Sequence, residues 1–297
     1  MKKRLLSFVF LFSLLASFAS AETIEVGTYV MSVEEYDTST GKYALTFFLG
    51  MQCDYNCSLD DLLFINGIAT NVVQTKDDPQ TKEYRIRAEL QDSVDLRKYP
   101  FDAQNLTIII ESTSKEADEL AIANWDSYSG VDDRVTFPGW ALTNIESHAA
   151  NYVYEDHQET YGRYALTLTF ARERFGSVLQ HFVPIFILII ILLFTFIVGL
   201  DKMDLRIGIA SSILLAAFVF HMTLSSRIPP TGYPTFADKF MILTYLVALL
   251  SFFIDTSILR FVQDREKRFA KKVDTFTRYA MIIGIPLAYV LLFLFFS

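Results

Sequence analysis

Residues 22 to about 176 run as short segments in which apolar and polar side chains alternate. In "YRIRAEL", Tyr84, Ile86, Ala88 and Leu90 fall on one face, and Arg85, Arg87 and Glu89 on the other. "YALTLTF" repeats the pattern with Tyr164, Leu166, Leu168 and Phe170. Successive side chains of a strand point to opposite faces, so a period of two predicts strands with one buried face. "TSTGK", "KDDPQTK" and "VDDR" supply the turns between them. Strands at this spacing predict an antiparallel β-sandwich, immunoglobulin-like in architecture.

After Gly176 the period changes. Four apolar runs, at about 178–200, 205–226, 238–261 and 276–296, are each long enough for a spanning helix. Between the third and fourth, residues 262–275 hold Arg265, Lys267, Arg268, Lys271 and Lys272. Basic residues concentrate on the cytoplasmic side, so this stretch is expected to be a short cytoplasmic loop. Counting spans then places the sandwich outside. The first 21 residues have a basic tip, an apolar run and an Ala-x-Ala end at Ala19 and Ala21. That is the pattern of a secretory leader, with a first spanning helix as the alternative. The expected organisation is a leader (1–21), an extracytoplasmic sensing sandwich (22–176) and a membrane domain (177–297). The protein would reside in the plasma or inner membrane, with the sandwich on the extracellular or periplasmic side.

The second run, "DLRIGIASSILLAAFVFHMTLSS", carries polar residues that lipid would not tolerate. Helical steps of three and four put Asp204, Gly208, Ser212, Leu215, Val219, Met222 and Ser226 on one stripe. The acid lies at the cytoplasmic end, small and hydroxyl residues follow, and bulky apolar residues come next. A ring of such helices would attract cations at its mouth, wet its lower half and close by dewetting above. Small polar residues that glue helices together are the competing reading of Gly208 and the Ser211–Ser212 pair. One such helix per chain cannot enclose a pore, so the pore reading requires a homo-oligomer.

Composition narrows the classes. The chain has 297 residues, 52% of them hydrophobic, and a mean hydropathy of +0.30. Residues 22–177 carry 27 acidic and 12 basic side chains, whereas 178–297 carry 7 and 11. So acidic an outer domain argues against nucleic acid and favours cations nearby. No nucleophile elbow, zinc-binding His pair, phosphate loop or dinucleotide fingerprint occurs, so an enzyme is not expected. No cofactor is expected. The two cysteines, Cys53 and Cys57, are expected to form a small disulfide in an oxidising compartment, against a metal site that would need further ligands.

The segment "DLRKYPFDAQNL" holds an aromatic-Pro-aromatic-Asp core, Tyr99, Pro100, Phe101 and Asp102, on a loop between strands. It resembles the signature loop of the pentameric ligand-gated ion channels, the Cys-loop receptor superfamily. The resemblance extends through Arg172 before the first span, Pro184 inside it, Leu215 at mid-height of the second, and the "IPPTGYP" linker after it. Asp92 and Leu106 stand where eukaryotic members carry the bridging cysteines, and the third-to-fourth connection is short. Both features look like the prokaryotic branch. The region from "CDYNCSLDD" to "LLFINGIA" looks shorter than usual by about a strand pair.

The resemblance implies a homopentamer around a central pore lined by the second helix, opened by a stimulus sensed in the sandwich. Asp204, Gly208 and Ser212 would set selectivity, and Leu215, Val219 and Met222 would form the gate. Asp204 stands where cation-conducting bacterial members are acidic, and the Pro-Ala-Arg stretch of anion channels is absent. Lys202 and Arg206 complicate this, although the stripe turns Arg206 away from the axis. Asp37, Tyr99, Pro100, Phe101, Asp102, Arg172, Pro229 and Tyr233 would couple sandwich to pore, with Asp37 and Asp102 flanking Arg172. Phe48, Phe64, Arg87, Glu111, Tyr154, Glu159 and Tyr161 are candidates for an agonist site, where tyrosines would cage an amine. "ESTS" lacks the aromatic usual in amine receptors, and Trp125 and Trp140 read as core or edge residues.

Protons are the rival agonist, with His221 the candidate pH sensor and His148, His157 and His181 also able to titrate. The paired acids Asp60–Asp61, Asp77–Asp78 and Asp132–Asp133 would suit modulation by a divalent cation, calcium best. The alternative function is a membrane-anchored extracytoplasmic sensor that conducts nothing. Expected partners are further copies of the chain, membrane lipid, permeating cations, and a small-molecule agonist or protons.

Overall fold

The structure, a computed structural model, describes residues 21–264 and 266–296, less the side chain of Phe296. The expected leader therefore lies, apart from Ala21, outside the described residues, as does Arg265.

Among the described residues, ten strands form two sheets. They are β1 (Glu22–Asp37), β2 (Lys42–Cys53), β3 (Leu62–Phe64), β4 (Gly67–Asp77), β5 (Thr81–Gln91), β6 (Ala103–Ser112), β7 (Leu120–Asn124), β8 (Gly130–Val131), β9 (Trp140–Tyr154) and β10 (Glu159–Arg172). One sheet has the order β4-β5-β2-β1-β7 with β8 also on β1, and the other β3-β6-β10-β9. Pairing is antiparallel except that β7 and β8 run parallel to β1. A purely antiparallel sandwich is thus corrected at that one edge. The inward side chains are the alternating set read from the sequence: Tyr84, Ile86, Ala88 and Leu90 meet Leu106, Ile108 and Ile110, and Tyr164, Leu166, Leu168 and Phe170, in one core.

Asp37 caps the β1–β2 turn, accepting from Ser39 N (2.8 Å), Ser39 Oγ (2.6 Å) and Thr40 Oγ1 (2.8 Å). Gly41 has φ +72°, and a Cβ there would sit 2.0 Å from the carbonyl oxygen of Asp92, so only glycine fits. Cys53 and Cys57 are joined by a disulfide that closes the turn after β2.

The second half is helical: α1 (Arg174–His181), α2 (Val183–Thr195), α3 (Met203–Ser225), α4 (Phe236–Gln263) and α5 (Lys267–Phe296). The first expected span is not one straight helix. It breaks at Phe182, with a bend of 46°, because Pro184 has no N–H and its ring displaces the carbonyl four residues back. The other three helices are each long and apolar enough to cross a membrane. The expected loop at 262–275 is also corrected. Helix α4 ends at Gln263 and α5 begins at Lys267, so Arg268, Lys271 and Lys272 lie on the first turns of α5. Hydropathy located the apolar part of α5 but could not see that its charged start is equally helical. The chain is a multi-pass membrane protein.

Candidate functional site

Three places bring the singled-out residues together. The first is helix α3. Asp204, Gly208, Ser212, Leu215, Val219, Met222 and Ser226 are all exposed on the protomer. The buried residues Met203, Arg206, Ala210, Ile213, Ala217 and Leu224 occupy the other side. Apolar residues on the exposed stripe stand well out, Leu215 at 65% and Val219 at 57%. Ser211 and Ser212 donate back to the carbonyls of Ile207 (2.6 Å) and Gly208 (2.8 Å), so their hydroxyls do not tie α3 to a neighbouring helix of the same chain.

Arg206 is the largest fully buried side chain. It pairs with Asp255 of α4 at 2.6 Å and with Asp274 of α5 at 2.5 Å. Asp274 also accepts from Arg278 at 3.0 Å. These four formal charges sum to zero, and Arg206 lies over the Phe196 ring at 5.2 Å. Asp255, Asp274 and Arg278 were missed in the sequence. A carboxylate inside an apolar run, as in "SFFIDTS", is itself the signal, because ionisable groups at membrane depth are costly unless paired.

The second place is the junction of sandwich and helices. Arg172 donates to Asp102 through two nitrogens, Nε to Oδ1 at 2.8 Å and Nη2 to Oδ2 at 3.1 Å. Its guanidinium lies 4.2 Å from the Trp140 ring centre and 5.0 Å from that of Tyr99. Asp37 does not join this pair: it is exposed and committed to its own turn, which corrects the expected carboxylate–Arg–carboxylate cluster. Two aromatic faces take its place, and Trp140 is part of the junction rather than only a core tryptophan. Asp37 is held below the usual carboxylate range by its hydrogen bonds to Ser39 and Thr40. The nearby Tyr36 hydroxyl is pushed up to about 12 by burial and by Asp102.

The loop 92–102 drives its aromatic core into the top of the helices. Phe101 stacks on Phe182 (5.5 Å) and meets Phe236 edge-on (5.6 Å). The Tyr99 hydroxyl bonds His181 Nε2 at 2.8 Å, and the Tyr99 carbonyl accepts from Ala237 N at 3.0 Å. The Tyr99–Pro100 peptide is cis. In the linker after α3, the Tyr233 hydroxyl accepts from Leu96 N at 3.0 Å, and Arg97 lies 5.1 Å from its ring centre. Pro229 lies in the same linker, between α3 and α4.

The third place is the β9–β10 hairpin. Glu111, buried, accepts from Arg163 Nε at 2.8 Å and from the Tyr154 hydroxyl at 3.1 Å. Tyr161 meets Tyr154 edge-on at 5.9 Å and donates to Glu159 at 3.2 Å. Burial and then the Glu111 carboxylate hold the Tyr154 hydroxyl above its ordinary pKa. Phe48 and Arg87 lie on the other sheet, where Arg87 is engaged by Glu34 at 2.7 Å. The Glu34 carboxyl is held low by its hydrogen bond from Thr46 and by Arg87. Phe64 packs edge-on against Phe47 of the core. Within one protomer the agonist candidates therefore form two groups rather than one pocket. Arg163 and Tyr152 were missed.

His221 bridges helices: Nδ1 is 2.9 Å from the Tyr245 hydroxyl and Nε2 3.1 Å from Asp238 Oδ1. The acid pairs are spoken for in part. Asp61 caps the turn at Ser58, Asp77 pairs with Lys82, Asp78 with Lys76, and Asp132 with Arg134, which draws the Asp132 pKa down to about 2. Among the described residues no three His, Cys, Asp or Glu side chains converge to hold a metal ion.

No protein-family model matches the chain. It is 24% identical over 217 residues to a proton-gated ion channel of Gloeobacter violaceus, covering 72% of this chain and 59% of that one. It is 22% identical over 159 residues to the serotonin-gated chloride channel mod-1 of Caenorhabditis elegans, covering 54% of this chain and 32% of that one. It is also 22% identical over 167 residues to the neuronal acetylcholine receptor subunit beta-2 of Carassius auratus, covering 56% and 35%. The chain thus spans less than two thirds of the length of these relatives. These relatives are gated ion channels, and the similarity to them, taken with a sandwich whose Tyr-Pro-Phe-Asp loop is seated in a helical membrane domain, supports membership of the Cys-loop receptor superfamily of pentameric ligand-gated ion channels.

Proposed function

We propose that the protein is a cation-selective channel, five copies of which surround a pore lined by α3, with the sandwich (22–176) outside the cytoplasm as the sensing domain. The observation that carries this reading is the α3 stripe. All seven positions are exposed on the protomer, in an order running from acid through hydroxyl to apolar. Fivefold repetition would close that stripe into a carboxylate ring at Asp204, a wettable stretch at Gly208 and Ser212, and an apolar gate at Leu215, Val219 and Met222. The relatives include both a chloride channel and a proton-gated channel, so selectivity rests on this chain's own charges. Arg206 is buried and neutralised by Asp255 and Asp274, which leaves Lys202, exposed at the N-cap of α3 and next to Asp201 in sequence, as the one basic residue close to Asp204 on that helix. Reversal potentials under sodium, potassium and chloride gradients test this.

Coupling is assigned to the Asp102–Arg172 pair and to Tyr99, Pro100 and Phe101, acting on Pro229 and Tyr233. A bidentate carboxylate–guanidinium contact is directional, so a shift of the last strand is passed on to the loop seated on the linker. Two stimuli have support. The His221 bridge favours protons: a neutral ring accepts from Tyr245 while donating to Asp238, and protonation reverses the first bond and strengthens the second. The hairpin face with Glu111, Tyr154, Glu159 and Tyr161, set against a neighbour's Phe48 and Arg87, favours a small molecule. Steps of external pH on wild type and His221→Ala separate the two. Calcium would act at the exposed acids of the sandwich, and current recorded with and without calcium tests that.

A further inference from the structure

We infer that the hairpin face is an aromatic cation cage already filled by the protein's own Arg163, and that this side chain decides what the face accepts. The inference rests on reading that face as the stimulus-sensing surface.

Glu111 on β6 and Arg163 on β10 are register partners, so both project from the same side of the sheet. The Glu111 side chain is only 4% exposed, and both Arg163 Nε (2.8 Å) and Nη2 (2.7 Å) reach its Oε2. The other carboxylate oxygen accepts from the Tyr154 hydroxyl, which in turn accepts from Arg163 Nη2 at 3.1 Å. The Arg163 Cζ lies 3.5 Å from the Tyr152 ring centre and 5.9 Å from that of Tyr154. Tyr161 closes against Tyr154 edge-on.

A buried carboxylate below and aromatic faces around it are what proteins use to hold guanidinium and quaternary ammonium groups. Here the guanidinium is tethered. Glu111 is so buried that it requires a counter-charge, and Arg163 supplies it while covering the Tyr152 face. A free alkylammonium would have to displace a cation of effectively high local concentration. The wild-type face is therefore closed to amines, and the chain differs in this from a receptor whose cage stands empty. Removing the Arg163 head group leaves a buried anion among tyrosines, a vacancy with the shape and charge of a guanidinium.

The test uses the full-length channel with methylguanidinium and tetramethylammonium as probes, following tyrosine and tryptophan fluorescence and current together. Wild type and Arg163→Lys should show no saturable binding. Arg163→Ala should bind methylguanidinium saturably, with half-saturation at a concentration roughly tenfold or more below the highest at which wild type shows none, the effect of one desolvated charge contact. Glu111→Gln in the same background should abolish that gain. Equal binding by wild type and Arg163→Ala overturns the inference, whatever the currents do. Binding without any change in current leaves the cage standing and ends the stimulus-sensing reading of this face. If Arg163→Ala does not assemble, guanidinium present during folding should restore the oligomer, and failure to restore it also overturns the inference.

Discussion

Replacing Asp255 by Leu removes one of two carboxylates that neutralise a wholly buried arginine. Arg206 and Asp255 are both 0% exposed, and Asp274 only 5%. Asp274 is also shared with Arg278, so it cannot turn fully to Arg206 without releasing a second cation. Removing one member of a buried pair destabilises by about 3–5 kcal/mol, because the survivor is left charged in a medium that solvates it poorly. Arg206→Met should cost a similar amount, since Asp255 then faces Asp274 with no cation between them. The double variant Arg206→Met/Asp255→Leu removes both charges and leaves Asp274 with Arg278. Swapping a whole buried pair for apolar groups is often neutral or better, so the double variant should lie within about 1–2 kcal/mol of wild type. Denaturation in mixed non-ionic and SDS micelles, read by near-ultraviolet circular dichroism, gives the four free energies of this cycle. The reasoning fails if either single variant lies within about 0.5 kcal/mol of wild type, the range of ordinary surface changes, or if the double variant equals the sum of the singles.

Four further outcomes are expected. Arg172→Ala should reach the surface but lose or blunt gating in current recordings, and Arg172→Lys should not restore it, since an ammonium cannot make the bidentate contact to Asp102; normal gating in Arg172→Ala would remove the coupling role. Leu215→Ser should give a leaky or left-shifted channel, because a hydroxyl at the apolar constriction favours wetting; an unchanged closed-state current would move the gate elsewhere. His221→Ala should flatten any response of the current to external pH; a pH response identical to wild type would transfer proton sensing to other groups. Leu168→Ala, in the sandwich core, should destabilise the outer domain by about 2–5 kcal/mol, seen as a lower melting temperature; a shift no larger than a surface substitution gives would contradict the packing.

Much of the fold was legible because it follows from local periodicity. The period of two in "YRIRAEL" and "YALTLTF" states which side chains meet in the sandwich, and those are the residues in its core. The helical runs were equally plain, but their ends were not. Pro184 marks a break that apolar content alone conceals, and the charged start of α5 gives no hydropathy signal. The site was legible where residues lie on one element, as in the α3 stripe, and less so where it depends on pairing between distant segments. Asp37 has the charge to join Arg172, but Ser39 and Thr40, two and three residues away, satisfy its carboxylate first. Trp140 stands opposite Arg172 only because β9 and β10 pair in the register that brings them together. The Arg206 cluster spans three helices, and nothing near Arg206 in sequence points to Asp255 or Asp274. Arg163, in "TYGRYA", reads as a solvated strand residue until the pairing of β6 with β10 places Glu111 beside it.

The central claim is that α3 lines a cation pathway whose mouth is set by Asp204, with Arg206 neutralised out of it. The most direct measurement is the reversal potential of the purified channel in a planar bilayer under asymmetric sodium chloride, for wild type and Asp204→Ala. The account predicts a wild-type reversal near the sodium equilibrium potential, and a shift toward zero in Asp204→Ala. A wild-type reversal that follows chloride, or one that Asp204→Ala leaves unmoved, would contradict it.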